Sequence, residues 1–226
     1  MLSDRRSAYG RYASPDTEIF ARALHDRVPL EADPSDDFLT PEILEQVMMA
    51  ERSGMDAVIV DCMEDPGVEE ARRLVRIPVV GPGHAAMSLA AMLSYRFSIL
   101  YPLAQVRLIE RLVLRHGFAP MLASIRHLSC GLDGIRQDEQ ATLECMVDAA
   151  LTAVRKDGAH AIVPACTLTS ALTQELMRRL HEQQCPVPVV DGPGAAVKLA
   201  ETLIDIGAEP SRVTYPPTLG IAYPLR

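Results

Sequence analysis

Asp56-Ala57-Val58-Ile59-Val60-Asp61-Cys62-Met63-Glu64-Asp65-Pro66-Gly67 carries the reading of the fold. Ala57 to Val60 is a short apolar run with β-branched residues, which reads as a buried strand of a parallel sheet. The run stops at Asp61 and Cys62, and Asp65-Pro66-Gly67 then turns the chain. A thiol therefore stands where a buried strand ends and a loop begins. In open α/β sheets, ligands collect at the carboxyl ends of strands. A single such cysteine would carry little weight, because free cysteines are commonly buried and inert.

The chain repeats the pattern. Ala161-Ile162-Val163-Pro164-Ala165-Cys166-Thr167 sets a second cysteine at the end of a second apolar run. With Cys62 aligned to Cys166, Ala57-Val58-Ile59 falls on Ala161-Ile162-Val163. Downstream, Pro78-Val79-Val80 returns as Pro188-Val189-Val190, Ala85-Ala86 as Ala195-Ala196, and Leu89-Ala90 as Leu199-Ala200. Two matched blocks in the same order indicate a duplicated α/β half-domain. Residues 1–93 with 196–226 are expected to form the first half, and 94–195 the second.

The repeat also predicts what is missing. Phe97–Leu100 reads as the strand that opens the second half, upstream of Ala161–Pro164. Its counterpart in the first half would fall before residue 1, so the first half is expected to lack its opening strand. Residues 1–14 then read as the helix that follows such a strand, and Thr17 to Ala23 is ambiguous between strand and helix turn. Losing a central strand exposes backbone and apolar surface, so the proline- and tyrosine-containing tail, Glu209 to Arg226, is expected to wrap the surface or a neighbouring subunit.

Between these points the pattern predicts helices from Thr40-Pro41-Glu42 to Ser53, over Gly67–Val75, His84–Leu93, Leu103–Arg115, Gln137–Lys156, Ser170–Gln183 and Gly194–Ile206. It predicts further strands at Ile77–Val80, Ala123–Leu128 and Val187–Val190.

Composition narrows the function. The chain has 226 residues, 48% hydrophobic and 23% charged, which fits an ordinary globular protein. A net charge of −8 without a basic cluster argues against nucleic acid and anionic membranes as partners. No apolar run approaches the roughly 20 residues that span a bilayer, and no secretory leader is expected behind Met1-Leu2-Ser3. Five irregularly spaced cysteines are not a disulfide framework, which points to a reducing, cytoplasmic setting. Metal-ligand spacings, dinucleotide fingerprints and phosphate loops are lacking, so no cofactor is expected.

Two thiols facing one cleft would suit cofactor-independent proton transfer. A thiolate takes a proton from one face of an sp³ carbon, and a thiol on the other face returns one. A helix N-terminus just after each cysteine would favour the anion and offer N–H groups to a substrate oxygen. Thr167, Thr169 and Ser170 add hydroxyl donors beside Cys166, whereas Glu64 and Asp65 make the Cys62 side less welcoming to an anion. The bland reading of Glu64 and Asp65 is that they cap the helix beginning near Gly67. His84 could donate a proton, although a capping or surface role fits it better. His25, His116, His127, His160 and His181 show no grouping, and the other cysteines read as core or surface residues.

These residues resemble the Asp/Glu/hydantoin racemase superfamily, in its hydantoin racemase-like branch. The resemblance rests on Asp-Cys-x-x-Asp-Pro-Gly at 61–67, Ile-Pro-Val-Val-Gly at 77–81, Ala-Ala-Met at 85–87, Ala-Cys-Thr at 165–167 and Pro-Val-Val-Asp-Gly from 188. It implies an α/β fold of two pseudo-symmetric flavodoxin-like halves with parallel sheets. It implies Cys62 and Cys166 as the two acid/base residues of a racemase acting on a hydantoin or amino-acid-like substrate. Substrate contacts are expected at Met63, Tyr101, Pro102, Thr167 and Leu168. The chain departs from the family in lacking an opening Asn-Pro-Asn-type loop and in placing Tyr101-Pro102 where hydroxyl residues usually stand. Partners are expected to be a small-molecule substrate and further copies of the chain in a homo-oligomer. Two rival readings are a one-thiol decarboxylase or cis–trans isomerase of the same superfamily, and a non-catalytic small-acid-binding paralogue.

Overall fold

The apolar runs that stood out in the sequence become parallel strands in two separate sheets. The computed structural model describes residues 2–24 and 36–217. Of the described residues, one compact unit draws on Met1–Asp61, Asp65–Gly81 and Ala196–Arg226, and the other on Cys62–Glu64 and Pro82–Ala195. His25 and the end of the tail, 218–226, lie outside the described residues.

The first unit opens with α1 (Leu2–Gly10), and no strand occurs within 2–14. The stretch Thr17 to Ala23 is neither helix nor strand. Then come α2 (Asp36–Arg52), β1 (Val58–Ile59), α3 (Val68–Arg72) and β2 (Val79–Val80). β1 and β2 run parallel, with Val58 opposite Val79 and Ile59 opposite Val80. Ile43 and Val47 of α2 meet Val68 and Ala71 of α3, with Leu74, Val75, Ile77 and Val79 completing the core.

Thr40 does not cap α2 as expected. The helix starts earlier, Pro41 lies inside it, and Thr40 Oγ1 is buried without a hydrogen-bond partner among the described residues. The described part of the tail, up to residue 217, is tied to its own unit. Arg212 donates to the carbonyls of Arg72 (3.1 Å) and Val75 (2.6 Å), and Arg72 donates to Tyr215 Oη at 3.2 Å.

The second unit contains α4 (Pro82–Leu93), β3 (Phe97–Tyr101), α5 (Arg107–Arg115), β4 (Leu122–His127), α6 (Gly131–Gln137), α7 (Glu139–Asp157), β5 (Ala161–Pro164) and α8 (Thr173–Glu182). α9 (Gly192–Asp205) begins in it, and the residues of α9 from Ala196 onward count with the first unit. The sheet order is β4-β3-β5, all parallel, and a bridge from Ile162 to Val189 extends it. β3 is buried along its whole length.

Three expected boundaries move. The long helix from Gln137 breaks at Asp138, whose extended backbone and side chain cap α7 by accepting from Ala141 N–H at 2.9 Å. The strand expected at Val187–Val190 shrinks to one bridge, between Ile162 and Val189. α8 starts at Thr173 rather than Ser170, after a 3₁₀ turn over Thr167–Leu172.

The sequence repeat reappears as a repeated hydrogen bond. Val58 N–H donates to the Pro78 carbonyl at 2.9 Å, and the corresponding Ile162 N–H donates to the Pro188 carbonyl at 2.9 Å. The strand registers Val58–Val79 and Ile162–Val189 correspond in the same way. Among the described residues, no helix is long and apolar enough to cross a membrane.

Candidate active site

Cys166 follows directly from β5. Ala165 N–H donates to the Leu100 carbonyl of β3 at 2.8 Å, so the backbone is paired up to the residue before the thiol. Cys166 itself is extended (φ −148°, ψ 119°), and the 3₁₀ turn begins at Thr167. The N–H and hydroxyl of Thr169 both donate to the Cys166 carbonyl, at 3.0 and 2.8 Å. This local competition for backbone acceptors explains why the turn is 3₁₀ before it becomes α8. Asp191 ties the turn to the start of α9 by accepting from Ser170 Oγ (2.7 Å), Thr173 Oγ1 (3.2 Å) and Gly194 N–H (3.0 Å).

Cys62 is seated differently. Asp61, just before it, accepts from Arg5 at 2.6 and 2.8 Å and from Tyr9 Oη at 2.7 Å. Burial alone would lower the Arg5 pKa, but the Asp61 carboxylate outweighs it and raises it. Burial first, and then the Asp61 charge, push the Tyr9 phenol well above its ordinary range, so it remains a donor.

Met63 is buried against two glycines. A Cβ at Gly83 would lie 2.1 Å from the Met63 carbonyl oxygen, and one at Gly192 would lie 2.4 Å from its Sδ. Those glycines admit the loop because they have no side chain.

The helix N-terminus expected just after each cysteine is found after Cys166 but not after Cys62. α3 begins only at Val68, because Asp65 (φ 54°) and Gly67 (φ 67°) both turn the chain left-handed. Glu64 does not cap α3: the cap position is Gly67, which has no side chain, and both Glu64 carboxylate oxygens are engaged elsewhere. Glu64 instead accepts from Cys62 Sγ at 2.6 Å and from Tyr101 Oη at 2.7 Å. Asp65 is buried against Gly81, where a Cβ would lie 2.1 Å from the Asp65 carboxyl carbon.

Neither Cys62 nor Cys166 forms a disulfide; both are partly exposed, and both belong to the second unit. Met63, Tyr101, Pro102 and Thr167 are buried, while Leu168 is 40% exposed. The sequence reading missed three groupings. Glu64 bridges Cys62 to Tyr101. His84 and His116, which showed no grouping in sequence, stack with ring centroids 3.7 Å apart. Cys130 N–H approaches Cys145 Sγ at 3.5 Å. Burial, reinforced by Cys145, pushes the Cys130 thiol up to about 11. Burial also raises Cys145, but hydrogen bonds from Ser129 and Cys130 outweigh it and hold that thiol below its ordinary value. Among the described residues, no cluster of three His, Cys, Asp or Glu side chains could hold a metal ion.

A family model described as Asp/Glu/Hydantoin racemase matches residues 5–200. A hydantoin racemase from Pseudomonas sp. (strain NS671) is 33% identical over 180 residues, covering 79% of this chain and 70% of that protein. A hydantoin racemase from Paenarthrobacter aurescens is 35% identical over 175 residues, covering 76% and 72%. Among solved structures, an allantoin racemase from Klebsiella pneumoniae superposes with a TM-score of 0.86 at 29% identity, covering 100% of this chain and 89% of that one. An allantoin racemase from Pseudomonas fluorescens gives a TM-score of 0.87 at 28% identity, covering 100% and 93%. The chain belongs to the Asp/Glu/Hydantoin racemase family and is an isomerase of the racemase class.

Proposed function

We propose that the chain racemises a hydantoin or a related amino-acid-like molecule, with Cys62 and Cys166 as its two acid/base groups. The observation that carries this reading is the placement of two partly exposed thiols, each at the end of a corresponding strand, in one compact unit. In one direction the Cys166 thiolate takes the α-hydrogen as a proton, leaving a carbanion conjugated with the adjacent carbonyl. The Cys62 thiol then gives its proton to the opposite face, and the roles reverse on the way back. No electron leaves the substrate, so the reaction balances with the two thiols alone. The names of the hydantoin racemase relatives support the substrate class. Five cysteines without a disulfide among the described residues suit a cytoplasmic setting. The short two-stranded sheet of the first unit suits a homo-oligomer, whose partner copy would cover an open strand edge.

The test is exchange of the substrate α-hydrogen in deuterated water. Cys62→Ser and Cys166→Ser are each expected to slow racemisation by about 10²–10⁴-fold, the contribution of a positioned acid or base. Exchange and racemisation at the wild-type rate in both variants would overturn the assignment.

A further inference from the structure

Several carboxylates of this chain stand beside a cation. Asp61 has Arg5, Asp157 has Arg126, and Glu201 has Lys198. Glu64 is different. Its two oxygens accept from one thiol and one phenol, Cys62 Sγ at 2.6 Å and Tyr101 Oη at 2.7 Å. Among the described residues no cation pairs with it. Tyr101 is fully buried, so its hydroxyl holds the carboxylate in place without cancelling the charge. The structure thus fixes, within one hydrogen bond of the partly exposed Cys62, a carboxylate with no cation partner among the described residues.

Resting on the racemase reading above, we propose that Glu64 is the specificity-determining residue of the site. Its charge turns free carboxylates away from Cys62 and admits electroneutral ring substrates, in which the acid is tied up as an amide or imide. An amino acid with a free α-carboxylate would bring a second negative charge to the thiol, and a hydantoin would not. Two like charges about 6 Å apart repel by roughly 0.7 kcal/mol in water and more at a partly buried site. That corresponds to a discrimination of about threefold to tenfold or more. Because Cys62 is the donor to Glu64, it also carries its proton in this arrangement and stands ready as the acid.

The test compares two alkylating reagents of nearly equal size, the anion iodoacetate and neutral iodoacetamide. The full-length protein is used, and modification is read peptide by peptide at Cys62, with Cys166 as the internal reference. In the wild type the iodoacetate-to-iodoacetamide rate ratio is expected to be lower at Cys62 than at Cys166. Glu64→Gln, nearly isosteric, is expected to raise the Cys62 ratio about threefold to tenfold and to change the Cys166 ratio much less. Tyr101→Phe, which removes the hydrogen bond but keeps the charge, is expected to leave the Cys62 ratio low. An unchanged Cys62 ratio in Glu64→Gln overturns the proposal, as does a Cys62 that neither reagent reaches.

Alkylation requires no turnover, so this outcome is independent of whether the chain racemises hydantoins. A shifted ratio in a protein without racemase activity would sink the racemase reading and leave the charge filter standing. With racemase activity present, Glu64→Gln is expected to raise kcat/KM for a free amino acid relative to a 5-substituted hydantoin, mainly through KM. Equal changes for both substrates would overturn the charge filter.

Discussion

The residue before Cys166 is held by a neighbouring strand, whereas the residue before Cys62 is held by side chains. Ala165 hydrogen-bonds through its backbone to Leu100 of β3, deep in a three-stranded sheet. Asp61 uses its carboxylate to accept from Arg5 and Tyr9 of α1. α1, which supplies Arg5 and Tyr9, is a helix, and no strand occurs within residues 2–14. A backbone ladder is replaced by an ion pair and a phenol, and a hydrophobic sheet by a polar clamp. The tail and the N-terminal coil extend the same solution, through Arg212 on the carbonyls of Arg72 and Val75 and Ser14 on Glu201. The residue before Cys166 is therefore fixed by main-chain pairing, and the residue before Cys62 by a charged side chain.

The sharpest way to separate the two loops is at Gly83. The Met63 carbonyl and Leu112 Cδ2 would lie 2.1 and 2.8 Å from a Cβ there. The first of these is backbone and cannot swing aside. Gly83→Ala is expected to lower stability by about 3 kcal/mol, at the upper end of overpacking effects, and to displace the Cys62 segment. Urea denaturation measures the first effect and the alkylation rate of Cys62 the second. The Cys166 rate should hold, because its turn is fixed by Asp191 instead. Equal disturbance of both thiols would mean that the two loops are not independently supported.

Asp61 tests the polar clamp itself. Asp61→Ala leaves the buried Tyr9 hydroxyl and the Arg5 guanidinium without their acceptor. Stripping a charged acceptor from such donors costs about 2 kcal/mol. Asp61→Asn keeps an acceptor for Tyr9 and should lose roughly half as much. Chemical denaturation reads both variants, and faster alkylation of Cys62 than in the wild type is expected alongside. If Asp61→Ala unfolds at the wild-type urea midpoint, the bonds from α1 to Asp61 do not stabilise the fold.

The same contrast explains what the sequence disclosed. The apolar runs, the repeated Pro-Val-Val block and the two cysteines are local signals, and β1, β2, β3 and β5 stand where they predicted. That residues 2–14 hold a helix and no strand was also legible. α6 escaped notice because Gly131 and Gly134 disguise a helical turn. The partners of Asp61 and Glu64 were hidden for another reason. Arg5 lies 56 positions from Asp61 and Tyr101 lies 37 from Glu64, so tertiary packing alone brings them together. Glu64 was legible as an acidic neighbour of Cys62. That its carboxylate would turn back onto the thiol, rather than cap α3, was not.

The smallest expected effect concerns pH, and it falls on the side-chain-supported half. Burial raises the Glu201 carboxyl, but Lys198, the Ser14 N–H and the Thr17 and Ser14 hydroxyls outweigh it and bring it from the ordinary 4.5 down to about 2. A depressed carboxyl stabilises the fold above its unfolded pKa and loses that contribution as acid protonates it. The Glu201 clamp is therefore complete above about pH 4.5 and is lost as the pH falls toward about 2. The full shift would correspond to about 3 kcal/mol. Lys198 is 54% exposed, so salt and water screen the pair, and about 1–2 kcal/mol is the expected effect. Urea midpoints taken between pH 5 and 2 should fall more steeply for the wild type than for Glu201→Gln, which has no proton to gain at that position. Parallel curves for the two proteins would show that the link from Ser14 to α9 is not what holds the N-terminal segment in place.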